Sequence, residues 1–230
     1  MIRAILFDLD GTLTQMDQDK FMRNYLGLLA PRFAHLLPTE KFTKYVLKST
    51  DVMIRDPKPG KTNLQNFFDD FTKSTGLTFN VLWPIFEEFY QQDFPALRCL
   101  VEVNYDGKKA VENAIQQGYI VAVAANPVMP LRAIQERIHW AELSPDQFAL
   151  VPALEDFHFC KPHIGFYAEI SERLGLIPEE CLMVGNHPQE DMVAGQIGMK
   201  TFLAGEDSSG IANYSGTLQD LAQLILRGKL

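Results

Sequence analysis

Cysteine is scarce in this chain: Cys99, Cys160 and Cys181 are the only three in 230 residues. An odd number at wide spacing excludes a disulfide framework and leaves a reducing compartment, the cytoplasm, as the expected address. Long hydrophobic runs are missing too. No apolar stretch approaches the roughly 18 residues that a bilayer span needs, and the short run after Met1-Ile2-Arg3 stops at Asp8, too early for a secretory leader. Positive charge is in deficit. A net charge of −8 argues against general affinity for nucleic acid or for an anionic membrane. There is no internal repeat and no low-complexity tract. What remains, 47% hydrophobic and 22% charged, is the balance of a globular chain with a sizeable core.

The second half alternates short apolar runs with helical periodicity. Ile120–Ala124 reads as a strand, preceded by a helix with Ala110, Val111, Ala114 and Ile115 on one face that stops at Gly118. Downstream, the pattern predicts a helix over Pro130–Trp140, a strand at Ala149–Val151, and a helix over Ile164–Leu174. A strand at Cys181–Val184, a helix over Met192–Ile197, a strand at Lys200–Leu203 and a helix over Leu218–Leu226 complete the series. Such alternation implies an α/β fold, a doubly wound parallel sheet covered by helices on both faces. Ligands bind such sheets at the carboxyl ends of the strands. Asp8, Asn126 and Asn186 each come just after a predicted strand, so they are expected to converge.

Residues 15–98 break the alternation. They read as helices over Lys20–Leu37, Thr39–Arg55, Asn63–Thr75 and Val81–Phe94, rich in Phe and Trp. A stretch this long between a strand and the next helix is no plain loop. The expected organisation is a core of residues 1–14 plus 99–230, with residues 15–98 as an inserted helical cap whose aromatic side chains form its own interior. Between two of its helices, Arg55, Lys58 and Lys61 gather three cations in an acidic protein. That loop is either a solvated turn or a lure for an anionic substrate.

The strand ending in Phe7 runs into Asp8-Leu9-Asp10-Gly11-Thr12. Two carboxylates leaving a buried strand are costly unless paired or bound to metal. Further along come Ala125-Asn126 at a strand end, Lys161-Pro162 with Phe166, and Gly185-Asn186-His187-Pro188-Gln189-Glu190-Asp191. In this order and composition the chain resembles the haloacid dehalogenase superfamily of phosphohydrolases, across the whole core. The resemblance implies that Asp8 is a nucleophile forming an aspartyl-phosphate, with Asp10 the general acid and base. Mg²⁺ is implied as the cofactor, held by Asp8, Asp10 through its backbone, Asn186 and Asp191. Lys161 is implied to hold phosphoryl oxygens, alongside Gly11, Thr12, Ala125 and Asn126 in substrate binding.

Asp10 discriminates within the family, because members that displace halide generally lack an acid there. The implied activity is therefore hydrolysis of a small phosphorylated metabolite, by a monomer or homodimer without nucleic-acid or membrane partners. Two positions depart from the family pattern. Ala125 stands where Ser or Thr is usual, and Asn186 where a metal-site acid is usual. Losing the hydroxyl removes a bond worth on the order of 1.5–3 kcal/mol, and losing the acid predicts weaker metal affinity. These departures keep two alternatives open: a weakly active or inactive binding relative, and a phosphomutase.

Overall fold

The computed structural model describes residues 1–230. Five parallel strands form the central sheet in the order β4-β1-β5-β6-β7: β1 is Ala4–Phe7, β4 Ile120–Val123, β5 Cys181–Gly185, β6 Lys200–Ala204 and β7 Tyr214–Gly216. β1 alternates as a strand buried on both faces must. Ile5 and Phe7 enter one apolar cluster, which also holds α5 (Tyr105–Gln116), α6 (Leu131–Trp140) and α8 (Leu218–Leu226). Ala4 and Leu6 face the other, packed on α7 (Ile164–Arg173).

Strand register fixes the position of the site. Phe7 is level with Val123 on one neighbour and with Val184 on the other. The Asp8 N–H donates to the Val184 carbonyl at 2.8 Å, and the Ala124 N–H to the Phe7 carbonyl at 2.7 Å. The carboxyl ends of β4, β1 and β5 therefore finish side by side, and the residues just beyond them share one crevice.

Four helices intervene between β1 and the rest of the core: α1 (Gln18–Arg32), α2 (Thr39–Arg55), α3 (Asn63–Thr75) and α4 (Phe79–Gln92). The ranges of α2 and α3 coincide with the sequence expectation. α1 begins earlier, because Asp17 caps it by accepting from the Lys20 N–H. It ends earlier as well, since Pro31 has no N–H to extend the hydrogen-bond ladder. The aromatic residues pack against one another, with Phe33 stacked on Phe42 at 4.2 Å and Phe86 4.8 Å from Phe33. Their interior is continuous with the core across the expected boundary, since Phe94 stacks on Trp140 of α6 at 5.1 Å. α3 also docks by hydrogen bonds: Asn63 N–H donates to Phe157 O at 2.7 Å and Leu64 N–H to Leu154 O at 2.8 Å.

Three sequence expectations need correction. Ala149–Val151 is not a strand; two hydrogen bonds tie it to β4, Ala149 N–H to Val121 O and Val123 N–H to Leu150 O, and Pro152 cannot extend the ladder. Met192–Ile197 is a 3₁₀ helix that closes at Gly198, whose φ of +96° suits glycine. The short antiparallel ribbon of β2 (Thr14–Gln15) and β3 (Glu102–Val103), where the chain leaves and re-enters the core, adds to the expected elements, as does β7.

Candidate active site

Asp8 sits at the exit of β1, buried, and Lys161 reaches it from the loop before α7. The Lys161 ammonium donates to Asp8 Oδ1 at 2.7 Å and to Asp191 Oδ1 at 2.5 Å, with its side chain only 2% exposed. The second Asp191 oxygen accepts the His187 backbone N–H at 2.9 Å. Burial lifts the Asp8 carboxyl above its ordinary range; Lys161 opposes that shift and the Asp191 charge adds to it. Burial works against the Lys161 ammonium, but the charges of Asp8 and Asp191 outweigh it and hold the proton. The two carboxylates and the amine thus form one buried electrostatic unit. Gly185 permits it, because a Cβ at that position would lie 2.7 Å from Asp191 Cβ and closer still to the carboxyl group.

Around this unit lies a cavity of about 330 Å³, walled by Asp8, Asp10, Ala125, Asn126, Lys161, Asn186 and Asp191, and on the α1 side by Phe21 and Met22. Seven of the nine residues singled out from sequence therefore meet at one place. Gly11 and Thr12 lie behind Asp8 and do not line it. The buried Thr12 hydroxyl is 3.4 Å from Asp8 Oδ2 and 3.3 Å from Asn186 Oδ1, with one proton to donate between the two acceptors. Gly11 adopts φ +82° with Asn186 packed against its α-carbon, so a side chain there meets both strain and collision. Asn126 accepts the Lys161 backbone N–H on its Oδ1 at 3.1 Å, which fixes the lysine loop.

The unexpected member is Arg137. It is buried on the wall of the cavity and its Nη2 pairs with Asp10 Oδ2. Burial pulls its guanidinium down to about 10, against the nearby Asp8 charge, so it remains a cation at neutral pH. Its signal was in the sequence. Ala133, Ile134, Arg137, Ile138 and Ala141 share the i, i+3, i+4 spacing of one buried helix face, and a charge on such a face needs a partner. The Arg55–Lys61 loop, by contrast, does not line the cavity. Arg55 pairs with Asp51 at 2.6 Å, Lys58 with Asp56 and Lys61 with Asp69.

Sheet and crevice define an α/β fold of the parallel, doubly wound class, with an acid–lysine–acid unit at its strand ends. A family model described as haloacid dehalogenase-like hydrolase matches residues 2–197, and the chain belongs to that family. Pyrophosphatase PpaX of Bacillus cereus (strain AH820) is 28% identical over 201 residues, covering 87% of this chain and 82% of that protein. Among solved structures, a HAD phosphatase from Thermococcus onnurineus superposes with a TM-score of 0.62 at 21% identity, over 97% of this chain and 98% of its own. The L-2-haloacid dehalogenase of Xanthobacter autotrophicus gives 0.58 at 17% identity, with 100% of both chains covered. These two structural likenesses carry the fold; the chemistry rests on the residues. No helix of the chain is long and apolar enough to cross a membrane.

Proposed function

We propose that this chain is a Mg²⁺-dependent phosphohydrolase that cleaves a small phosphorylated metabolite through an aspartyl-phosphate on Asp8. One observation carries the reading: the Lys161 ammonium bridges Asp8 and Asp191 at 2.7 and 2.5 Å, with Asp10 on the same cavity wall. In the first half-reaction, an Asp8 oxygen attacks phosphorus as the bond to the leaving oxygen breaks and Asp10 supplies that oxygen with its proton. In the second, the Asp10 carboxylate takes a proton from water, the water attacks the phosphoryl group, and the Asp8 carboxylate leaves with phosphate released. Lys161 holds the phosphoryl oxygens throughout and keeps Asp8 and Asp191 from repelling one another. Asn126 keeps the Lys161 backbone in place.

The donor set suits Mg²⁺. Asp8, Asp191 and the Asn186 amide offer hard oxygens on one cavity, and Mg²⁺ takes one or two carboxylates together with substrate phosphate. No three acidic, His or Cys side chains form a ready-made cage. Such an ion would lower the charge against which an anionic phosphate must approach Asp8. Residues 15–98 serve as the cap over this cavity, and their opening admits substrate. Release of α3 from Phe157 and Leu154 is part of that motion.

The name of the bacillary relative and the acid at position 10 both favour phosphoryl chemistry over dehalogenation. A panel of phosphate esters and anhydrides assayed with millimolar Mg²⁺ tests the proposal: turnover is expected for at least one and is lost in Asp8→Asn. Ligand binding without turnover across the panel overturns it and supports a catalytically inert relative.

A further inference from the structure

Two cations stand on the cavity wall, and their partners differ. Lys161 meets two carboxylates with its one ammonium. Arg137 has five N–H bonds to satisfy, and Asp10 Oδ2 is its single oxygen partner. Its Nη1 points to the Met129 sulfur at 3.9 Å, a weak acceptor, and its Nε is buried with no partner. A guanidinium removed from water is tolerated when oxygens replace its hydration. Nothing within the chain completes that shell. Arg137 and Asp10 both line the cavity, and Asp10 Oδ1 is likewise buried without a partner.

Position on the wall tells which part of a ligand supplies the missing oxygens. Arg137 pairs with Asp10 and Lys161 with Asp8 and Asp191. If Asp8 attacks phosphorus and Asp10 faces the leaving oxygen, Lys161 serves the transferred phosphoryl group and Arg137 serves the leaving group. Met16, Phe21, Met22, Val128 and Met129 give the lining its apolar part, with Gln18 among them, and the cavity carries no other lysine or arginine. We propose that Arg137 is a specificity-determining residue that holds a second negative group on the substrate, so that this site selects phosphoryl compounds whose leaving group is itself an oxyanion. A phosphoanhydride and a phosphorylated hydroxy acid share that chemistry. A guanidinium matches either oxyanion with two parallel N–H bonds.

The inference rests on the phosphohydrolase reading, and one experiment separates the two. kcat/KM is measured for inorganic pyrophosphate, phosphoglycolate and ethyl phosphate with the native protein and with Arg137→Met and Arg137→Lys. Comparing each substrate with itself across the proteins cancels differences in intrinsic reactivity. A charged hydrogen bond predicts that Arg137→Met costs the anionic substrates about 10- to 150-fold more than ethyl phosphate, with Arg137→Lys in between. The more affected of the two identifies the preferred oxyanion, phosphate or carboxylate. Equal losses on all three substrates mean that Arg137 only supports the fold or Asp10, and overturn the inference. Should Arg137→Met not fold, equal KM values of the native protein for phosphoglycolate and ethyl phosphate overturn it as well. Absence of turnover on every substrate overturns the phosphohydrolase reading and takes this inference with it.

Discussion

Replacing Lys161 with Met isolates the electrostatics of the site from its chemistry. The two ion pairs are short and the lysine side chain is almost fully enclosed, so water cannot take its place without rearrangement. Methionine fills much of the volume but leaves Asp8 and Asp191 facing each other uncompensated. Breaking a buried pair by removing one partner costs about 3–5 kcal/mol. In a chain of this size each kcal/mol moves Tm by about 2–4 °C, so a loss of about 6–20 °C is expected. The pH dependence has a definite sign. Burial and Asp191 already raise the Asp8 carboxyl, and loss of the ammonium raises it further. A carboxyl whose folded pKa exceeds its unfolded value favours the folded state while protonated and loses that contribution as pH rises through the folded pKa. The deficit of the variant is therefore greatest near neutrality and shrinks on acidification. Urea unfolding in EDTA, at about pH 7.5 and about pH 5, reads both quantities. A loss under about 1 kcal/mol, the range of an exposed pair, or a deficit that grows at the lower pH, would refute this account of the acid–lysine–acid unit.

Two further outcomes rest on particular contacts. Gly185→Ala drives a methyl group into the Asp191 carboxyl, so the variant is expected to lose about 1–3 kcal/mol of stability to overpacking together with most of its turnover; native unfolding and activity at that position would show that Asp191 is free to move. The thiols provide a pH test. Burial pushes Cys160 up to about 12 and Cys181 up to about 11, whereas Cys99 is exposed, so a disulfide reagent near pH 8 labels one thiol in the folded chain and three in denaturant. Rapid labelling of a second thiol without unfolding contradicts the burial of Cys160 and Cys181.

Much of this architecture could be read from the chain because the features that betray it are local. Each core strand is a short apolar run, and β1 keeps its register with β4 and β5 for that reason. Helices α2 and α3 announce their limits through charge at the ends and, for α3, the Thr62 capping box and Gly76. Elements that depend on neighbours were less legible. The two-residue β2 and β3 have no periodicity of their own and exist because the chain crosses itself where it leaves and re-enters the core. Ala149–Val151 has the composition of a strand but finds too little edge to pair with. At the site, Asp8, Lys161 and Asp191 were legible as types in order, and the folded chain brings them within hydrogen-bond distance. Thr12 was expected among the substrate-binding residues, and the folded chain sets its hydroxyl between Asp8 and Asn186. Which way a side chain turns is settled by packing and not by spacing. Arg137 stands between these cases, conspicuous on an apolar helix face but pointing at a partner more than a hundred residues earlier.

The Asn at position 186 takes on a different meaning beside Thr12 and Arg137. Asp8, Asp10, Glu190 and Asp191 set four negative charges on the cavity wall against the two positive charges of Lys161 and Arg137, a formal excess of two negative charges. An acid at 186 would add a fifth, close to the Thr12 hydroxyl that also lies within reach of Asp8. With the amide in its place, Thr12 bonds to a neutral oxygen and no further repulsion builds behind the proposed nucleophile. One divalent cation would then cancel the excess, so that an anionic substrate is no longer repelled. The neutral amide and the buried guanidinium thus act in the same direction: both lower the negative charge that a substrate bearing more than one negative group would meet in the cavity.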